Sequence, residues 1–251
     1  LMRGMVENGE VDHLVAERVW TELEGALATS VPARFFEVLR ACGALRRLFP
    51  EIEALYGVPQ PEQHHPEIDT GVHTMMVLDA AAALTPDTRV RFAALMHDLG
   101  KGATPPGEWP QHIGHEQRGV EMIRELARRF RVPNDYRDLA VLVARLHGNG
   151  HRAEELRPGT LLETLEALDA FRRPERVTQF TLACEADFRG RTGYAERPYP
   201  QAGIWVRAFA AARSVDTAAL AASGSGPEIG ERIRQSRIAA IKMVMTNERS
   251  E

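Results

Sequence analysis

The chain has 251 residues, 44% hydrophobic and 26% charged, ordinary proportions for a folded domain with a sizeable core. A net charge of −4 gives no overall field to attract nucleic acid, so any RNA contact has to use local basic faces. No run approaches the roughly 20 apolar residues that cross a bilayer, and the opening LMRGMVENGEVDHL lacks a signal-peptide layout. Only Cys42 and Cys184 occur, which argues against a disulfide framework or a cysteine-rich zinc site and fits a reducing cytoplasm. The start at Leu1 rather than Met reads as a fragment of something longer.

The helical period dominates, and no convincing alternating strand run is present, so the expected class is all-α. Val11 to Leu27 reads as a first helix, with Leu14, Val15, Val19, Leu23 and Leu27 on one stripe. A second helix is expected from about Pro32 to Cys42, with Gly43 as its C-cap. The proline-rich stretch RRLFPEIEALYGVPQPEQHHPEID marks a joint between two helical parts. Further helices are expected near 71–84, 88–98, 115–130, 135–147, 159–171 and 174–189. ASGSGPEIG, over 222–230, reads as a flexible turn before a last helix from Glu228 to about Asn247.

Eight of the nine histidines fall between residues 64 and 151. His73 shares a helical face with Met76, Val77 and Ala80, and His97 follows Val90, Ala93 and Ala94 by the same spacing. Asp98 comes next, at a helix end that Gly100 can terminate. His147 ends the helix carrying Leu139, Leu142, Val143 and Leu146, and Asp187 shares a face with Phe180 and Cys184. Four helices thus aim ligand-type side chains at one interior. A buried carboxylate is costly without a cation or donor, so a divalent metal held by His73, His97, Asp98 and Asp187 is the expectation. A single inward histidine is more often a hydrogen-bonded core residue than a ligand, and Asp187 alone could pair with Arg189 or Arg191. The combination on four helices is what favours the metal.

This H…HD…D set resembles the signature of the HD-domain metal-dependent phosphohydrolases, an all-helical superfamily, and HDLGKG is a common form of its motif. His115 and His147 match positions where binuclear members place further ligands, with His112 and His151 as alternates. FFEVLRACGALRRLFPEIEALYGVPQ, HHPEIDTGVHTMMVL, WPQHIGHEQRGV and RRPERVTQFTLACEADFRGRTGY, with their spacing, resemble the C-terminal part of bacterial multifunctional CCA-adding enzymes, which are tRNA nucleotidyltransferases. The resemblance covers nearly the whole chain. It implies a helical neck and body over 1–57, with ERVWTELEGAL from Glu17 and Arg18 similar to the last helical motif of the transferase core. An HD phosphohydrolase domain over 58–200 and a helical tail over 201–251 would follow. The glycine–serine loop, paired aspartates and Glu-Asp-x-x-Arg motif of that family's head are not found here. Mg²⁺ and ATP or CTP therefore belong to a head this chain lacks, and the chain alone is not expected to add nucleotides.

Imidazole and carboxylate donors without thiolate suit Ni, Mn, Mg, Co, Fe or Zn as a working ion. Asp98 is expected as a ligand at the reacting centre. Lys101 is read either as a holder of a phosphate oxygen or, equally, as a solvated residue at a helix C-terminus. Arg189 and Arg191 are read as phosphate or RNA contacts or as helix caps. Trp109, in the loop GATPPGEWPQHIGH, is read as a lid or base-stacking residue, with a rigid surface loop favoured over both. Basic groups at Arg124, Arg128, Arg129 and Arg131, at Arg172, Arg173 and Arg176, and along Arg232, Arg234, Arg237 and Lys242 are diluted by Glu121, Glu125 and Glu231.

The resemblance implies hydrolysis of 2′,3′-cyclic phosphates, 2′-nucleotides and other small phosphoesters by a cytoplasmic enzyme. It also implies binding of the tRNA acceptor and T arms, no membrane partner, and HD surfaces able to pair as a homodimer. The competing reading is a tRNA-binding and dimerising module with a vestigial metal site.

Overall fold

Periodic apolar positions fold this sequence into helices throughout. A computed structural model of the chain describes residues 1–63, 65–221 and 226–247. Among them are fourteen α-helices and no strand, only an isolated antiparallel bridge between Pro59 and Asp69. They are α1 (Met2–Glu7), α2 (Ala16–Leu27), α3 (Ala33–Cys42), α4 (Leu45–Leu48), α5 (Pro50–Glu53), α6 (Thr70–Leu84) and α7 (Thr88–Met96). There follow α8 (His115–Phe130), α9 (Asn134–His151), α10 (Pro158–Ala167), α11 (Glu175–Arg189), α12 (Gln201–Arg213), α13 (Thr217–Ala221) and α14 (Gly226–Asn247). None of the described helices is long and apolar enough to cross a membrane.

Several boundaries differ from the sequence reading. The first long helix starts at Ala16 rather than Val11, because Leu14 and Val15 are extended and a separate 3₁₀ turn covers Glu10–His13. Leu14 and Val15 are consequently exposed, and the buried stripe is Val19, Trp20, Leu23 and Leu27. Helix α7 ends at Met96, so His97 is its C-cap and Asp98 opens a 3₁₀ turn over Leu99–Ala103. Helices α1, α4, α5, α12 and α13 come in addition to the expected ones, α4 and α5 lying at the start of the proline-rich joint. Residues 222–225 of the expected ASGSGPEIG turn lie outside the described residues.

The chain divides into two compact units, Leu1–His147 with Leu182–Pro198 and Gly148–Thr181 with Tyr199–Glu251. In the first, Trp20 meets Phe92 and Tyr136 edge-on at 5.7 and 4.9 Å, and Phe49 lies 5.0 Å from Phe130. Fully burying one such side chain contributes about 1.5–3 kcal/mol. Arg91 braces this core: its guanidinium donates to the carbonyls of Leu27, Thr29, Ala82 and Thr85, satisfying the C-terminal ends of α2 and α6. Asp69 caps α6 by accepting from the Val72 amide at 2.9 Å, and Asp87 caps α7 through Arg89. In the second unit the buried Trp205 donates Nε1–H to the Gly150 carbonyl and meets Phe180 edge-on at 5.8 Å. There Arg237 also stacks over Phe171, and Arg234 pairs with Glu163 at 2.7 Å.

Candidate metal centre

Five helices of the first unit bring their ends or inward faces to one buried point. His73 comes from α6, His97 and Asp98 from the end of α7, His115 from the first residue of α8, His147 from α9 and Asp187 from α11. Each is buried except His115, whose side chain is 15% exposed. Two close approaches of backbone bring these elements together. A Cβ on Gly100 would sit 2.0 Å from the His115 carbonyl oxygen, so only glycine lets the Leu99–Ala103 turn lie against the start of α8. A Cβ on Gly190 would lie 2.7 Å from backbone atoms of Val77, so the end of α11 rests directly on α6. The first contact brings His115 to Asp98; the second brings Asp187 to His73.

The six side chains form two neighbouring groups, each with its ligand atoms within 4.8 Å of one another: His73, His97 and Asp187, then Asp98, His115 and His147. In the first, Nε2 of His73 is 3.0 Å and Nε2 of His97 is 3.7 Å from Oδ1 of Asp187. Asp98 faces both groups. Its Oδ2 is 3.1 Å from Nε2 of His97, while its Oδ1 is 3.3 Å from Nε2 of His115 and 3.5 Å from Nε2 of His147.

The far side of each ring is already committed. Nδ1–H of His97 donates to the Ala94 carbonyl, that of His115 to His112, and that of His147 to Val143 and Ala144. This fixes Nε2 of all three rings as the atom turned toward the carboxylates. Nε2 of His97, Nε2 of His115 and Oδ1 of Asp98 are buried with no hydrogen-bond partner. Buried ligand-type atoms left so are costly unless positive charge, as a proton or a metal ion, lies between them and the carboxylates. Burial opposes charge on His97, but Asp98 and Asp187 outweigh it and hold its pKa up at about 9. Asp98 is likewise held well below the usual carboxylate range: burial would raise it, and Lys101, His97 and His115 overcome that. The donor set, nitrogen and oxygen without sulfur, fits a divalent ion at each group.

Lys101 is not solvated. Its side chain is buried, with Nζ 2.5 Å from Oδ2 of Asp98 and 2.6 Å from Oε1 of Gln60. Arg189 is engaged by Glu185 and the Ala195 carbonyl, and Arg191 lies over the Phe188 ring at 5.7 Å. His112 has both ring nitrogens in use: Nδ1 accepts from Thr104 Oγ1 and Nε2 donates to the Pro59 carbonyl. His151 meets the Tyr199 hydroxyl at 3.2 Å, in the second unit. Trp109 is half-buried and donates to the Thr104 carbonyl.

Sequence reasoning passed over His65, Glu67 and Gln60, which stand in the proline-rich connector before α6. His65, Glu67 and His73 form a third group of ligand-type atoms within 4.8 Å. The only signal available was the HHPE stretch itself, two histidines and a glutamate close upstream of a helix that already carried His73.

Comparison with known proteins bears on what such a centre serves. Residues 70–184 match the family described as HD domain, and residues 2–56 match one described as a probable RNA and SrmB-binding site of polymerase A. The chain is 60% identical over 250 residues to a multifunctional CCA protein of Nitrosococcus oceani, covering 99% of this chain and 62% of that protein. It is 60% identical over 245 residues to the protein of that name from Thioalkalivibrio sulfidiphilus, covering 97% of this chain and 60% of the relative. A third, from Nitrosospira multiformis, is 56% identical over 96% of this chain and 61% of its own length. The chain thus spans about three fifths of the length of the curated relatives it matches.

Proposed function

We propose, on the premise that this chain belongs with the HD-bearing part of the multifunctional CCA proteins, that it is a divalent-metal phosphohydrolase. Its substrates are small phosphoesters, 2′,3′-cyclic phosphates and 2′-nucleotides among them, and it holds tRNA during 3′-end maturation and repair. One observation carries the hydrolase reading: three imidazole Nε2 atoms, each fixed by a backbone carbonyl on its far side, face the buried carboxylate of Asp98.

His73, His97 and Asp187 would hold one ion, and His115 and His147 a second, with Asp98 shared between them. When bound, a divalent ion draws charge from a phosphoryl oxygen and brings the pKa of water toward neutrality. Lys101 balances the charge of Asp98 and fixes the direction of its Oδ2, so its role is to position that carboxylate. The all-nitrogen and oxygen donor set is compatible with Ni, Mn, Co, Fe, Zn or Mg.

The match of residues 2–56 to an RNA-binding family, with the likeness to multifunctional CCA proteins, supports tRNA as the macromolecular partner, and contact with its acceptor and T arms belongs to the same reading. The free thiols of Cys42 and Cys184 support a reducing, cytoplasmic setting. Pairing as a homodimer through helical surfaces of the HD domain belongs to the same reading.

The test is hydrolysis of 2′,3′-cyclic AMP by metal-stripped protein resupplied with Ni²⁺, Mn²⁺, Co²⁺, Fe²⁺, Zn²⁺ or Mg²⁺ in turn, beside an Asp98→Ala control. Turnover that depends on the ion and vanishes in the control is the expected result. Folded protein that turns over nothing with any ion would overturn the reading in favour of a tRNA-binding module with a vestigial site.

A further inference from the structure

The turn that joins α8 to α9 carries four arginines that the metal centre does not use. Arg124 and Arg128 come from the second half of α8, Arg131 is its C-cap, and Arg137 stands in the first turn of α9. With Asn134 and Asp138 they line a surface groove of about 590 Å³. Four guanidinium groups thus face a single lining carboxylate, that of Asp138. Glu121 and Glu125, which dilute this basic cluster in the sequence, are not among the residues that line the groove.

Each guanidinium already meets a carboxylate, and the strength of those pairs decides whether the groove can take a further anion. Arg124 pairs with Glu121, Arg128 with Glu125 and Arg137 with Asp138, each at 2.7 Å, and Arg131 pairs with Glu17 of α2. All four arginine side chains are open to water, from 37% exposed at Arg137 to 76% at Arg128. Pairs this exposed contribute little and are screened by salt. Arg124 and Arg131 use one nitrogen in them, Arg128 and Arg137 two, whereas a guanidinium has five N–H donors. Every one of the four therefore keeps donors for a second acceptor, and a phosphate oxygen matches the arginine fork. The backbone adds to this at Arg131. It ends α8 in the left-handed region, at φ 53°, where glycine is favoured, yet the residue there is an arginine that lines the groove.

Position selects the anion. Arg131 reaches Glu17, and its neighbour Arg129 donates to Glu51 and to the Leu48 carbonyl. All three partners lie in residues 2–56, the segment that matches the RNA-binding family, whereas the groove itself lies in the segment that matches the HD domain. The groove is therefore fastened to the RNA-binding segment by its own arginine. Resting on the tRNA-partner reading above, we infer that the α8–α9 groove is a second RNA-contact surface, which grips backbone phosphates. Such contacts position an RNA without reading its bases.

The experiment uses the full chain and an unmodified tRNA transcript, with binding followed by fluorescence anisotropy over a range of KCl concentrations. Arg124→Gln, Arg128→Gln and Arg137→Gln are made singly and together, beside Arg128→Lys. Arg152→Gln is the control, an arginine of similar exposure paired with Glu155 outside the groove. Each glutamine variant should raise Kd by about 5–8-fold near 0.1 M salt and flatten the log–log salt slope by about 0.7–0.9, with larger losses in the triple variant. Arg128→Lys keeps the charge and should keep most of the slope, which guards against misfolding as the cause, and Arg152→Gln should change neither quantity. Wild-type Kd and slope in the triple variant would overturn the inference and leave tRNA binding elsewhere. A loss in Arg152→Gln as large as in Arg128→Gln would overturn it too, because net charge alone would then explain the effect. A polyglutamate peptide that binds wild type as tightly as the transcript does, but not the triple variant, would reassign the groove to an acidic protein segment. A wild-type chain that binds no transcript would instead sink the tRNA reading, and this inference with it.

Discussion

Gly100 stands so close to His115 that a methyl group on it would lie 2.0 Å from the His115 carbonyl oxygen and 2.5 Å from the Gly119 nitrogen. The obstacle is helical backbone, which cannot swing aside as a side chain can. The glycine of HDLGKG is thus a packing requirement that sets Asp98 and His115 within reach of each other. Gly100→Ala should force the turn away from α8 and cost about 1–3 kcal/mol or more, as overpacking does. It should also lower affinity for the ion shared by Asp98, His115 and His147. Thermal unfolding and Mn²⁺ titration check both effects, and a variant with wild-type values in each would show that the turn and α8 separate without consequence.

Lys101 offers a sharper decision. The sequence left it as a phosphate holder or a solvated helix-end residue, whereas its ammonium is buried between Asp98 and Gln60. Lys101→Met leaves the Asp98 carboxylate without its nearest cation, and breaking a buried pair from one side typically costs about 3–5 kcal/mol. A divalent ion supplies positive charge to the same carboxylate, and binding only to the folded state adds stability. The rise in Tm on adding metal should therefore be larger in Lys101→Met than in wild type. A metal-free variant as stable as wild type, with only a raised KM, would return Lys101 to the role of phosphate holder.

Much of this was legible because helices repeat. His73, His97, His147 and Asp187 each sit at a helical step from apolar neighbours, and that spacing is enough to turn them inward. The periodicity failed where the backbone leaves the helix. Leu14 and Val15 looked like the start of a stripe, but an extended segment turns them outward. Of the two readings of Lys101, the solvated helix-end one fails because the helix stops at Met96 and the 3₁₀ turn folds the side chain back onto Asp98. Glu67, His65 and Gln60 stand in a connector with no period at all, so nothing in the sequence says which way they face. Their positions depend on the Pro59–Asp69 bridge and on Asp69 capping α6, both tertiary facts.

Arg91 tests the frame rather than the site. Its guanidinium donates at 2.7 Å to the carbonyls of Thr85, Leu27 and Thr29 and at 3.0 Å to that of Ala82. A lysine ammonium is a point donor and cannot span carbonyls from two helix ends. Arg91→Lys should strand at least two of them, a loss of about 2 kcal/mol or more. For a chain of this size that is roughly 4–8 °C in Tm. The number of ions bound should not change, since Arg91 touches none of the six candidate ligands. A full Tm in Arg91→Lys would mean that water already satisfies those carbonyls.

Tyr136 gives a pH-dependent prediction away from the metal centre. Its hydroxyl donates to Glu24 Oε1 at 2.7 Å and lies 2.6 Å from Thr88 Oγ1, with the ring edge-on to Trp20. Burial, with the Glu24 carboxylate adding to it, pushes the phenol up from about 10 to about 12. The neutral form is the protonated one, so the folded state binds this proton more tightly than the unfolded chain does. The hydroxyl's contribution is fully present below pH 10.0 and is lost as pH rises from there toward about 12. Urea unfolding of wild type and Tyr136→Phe should differ in favour of wild type at pH 8, by about 1 kcal/mol for one hydrogen bond. That gap should close between about pH 10 and 12 and reverse if the phenolate is left facing Glu24. A gap that stays constant to pH 12 would mean the phenol ionises no differently in the folded and unfolded chains.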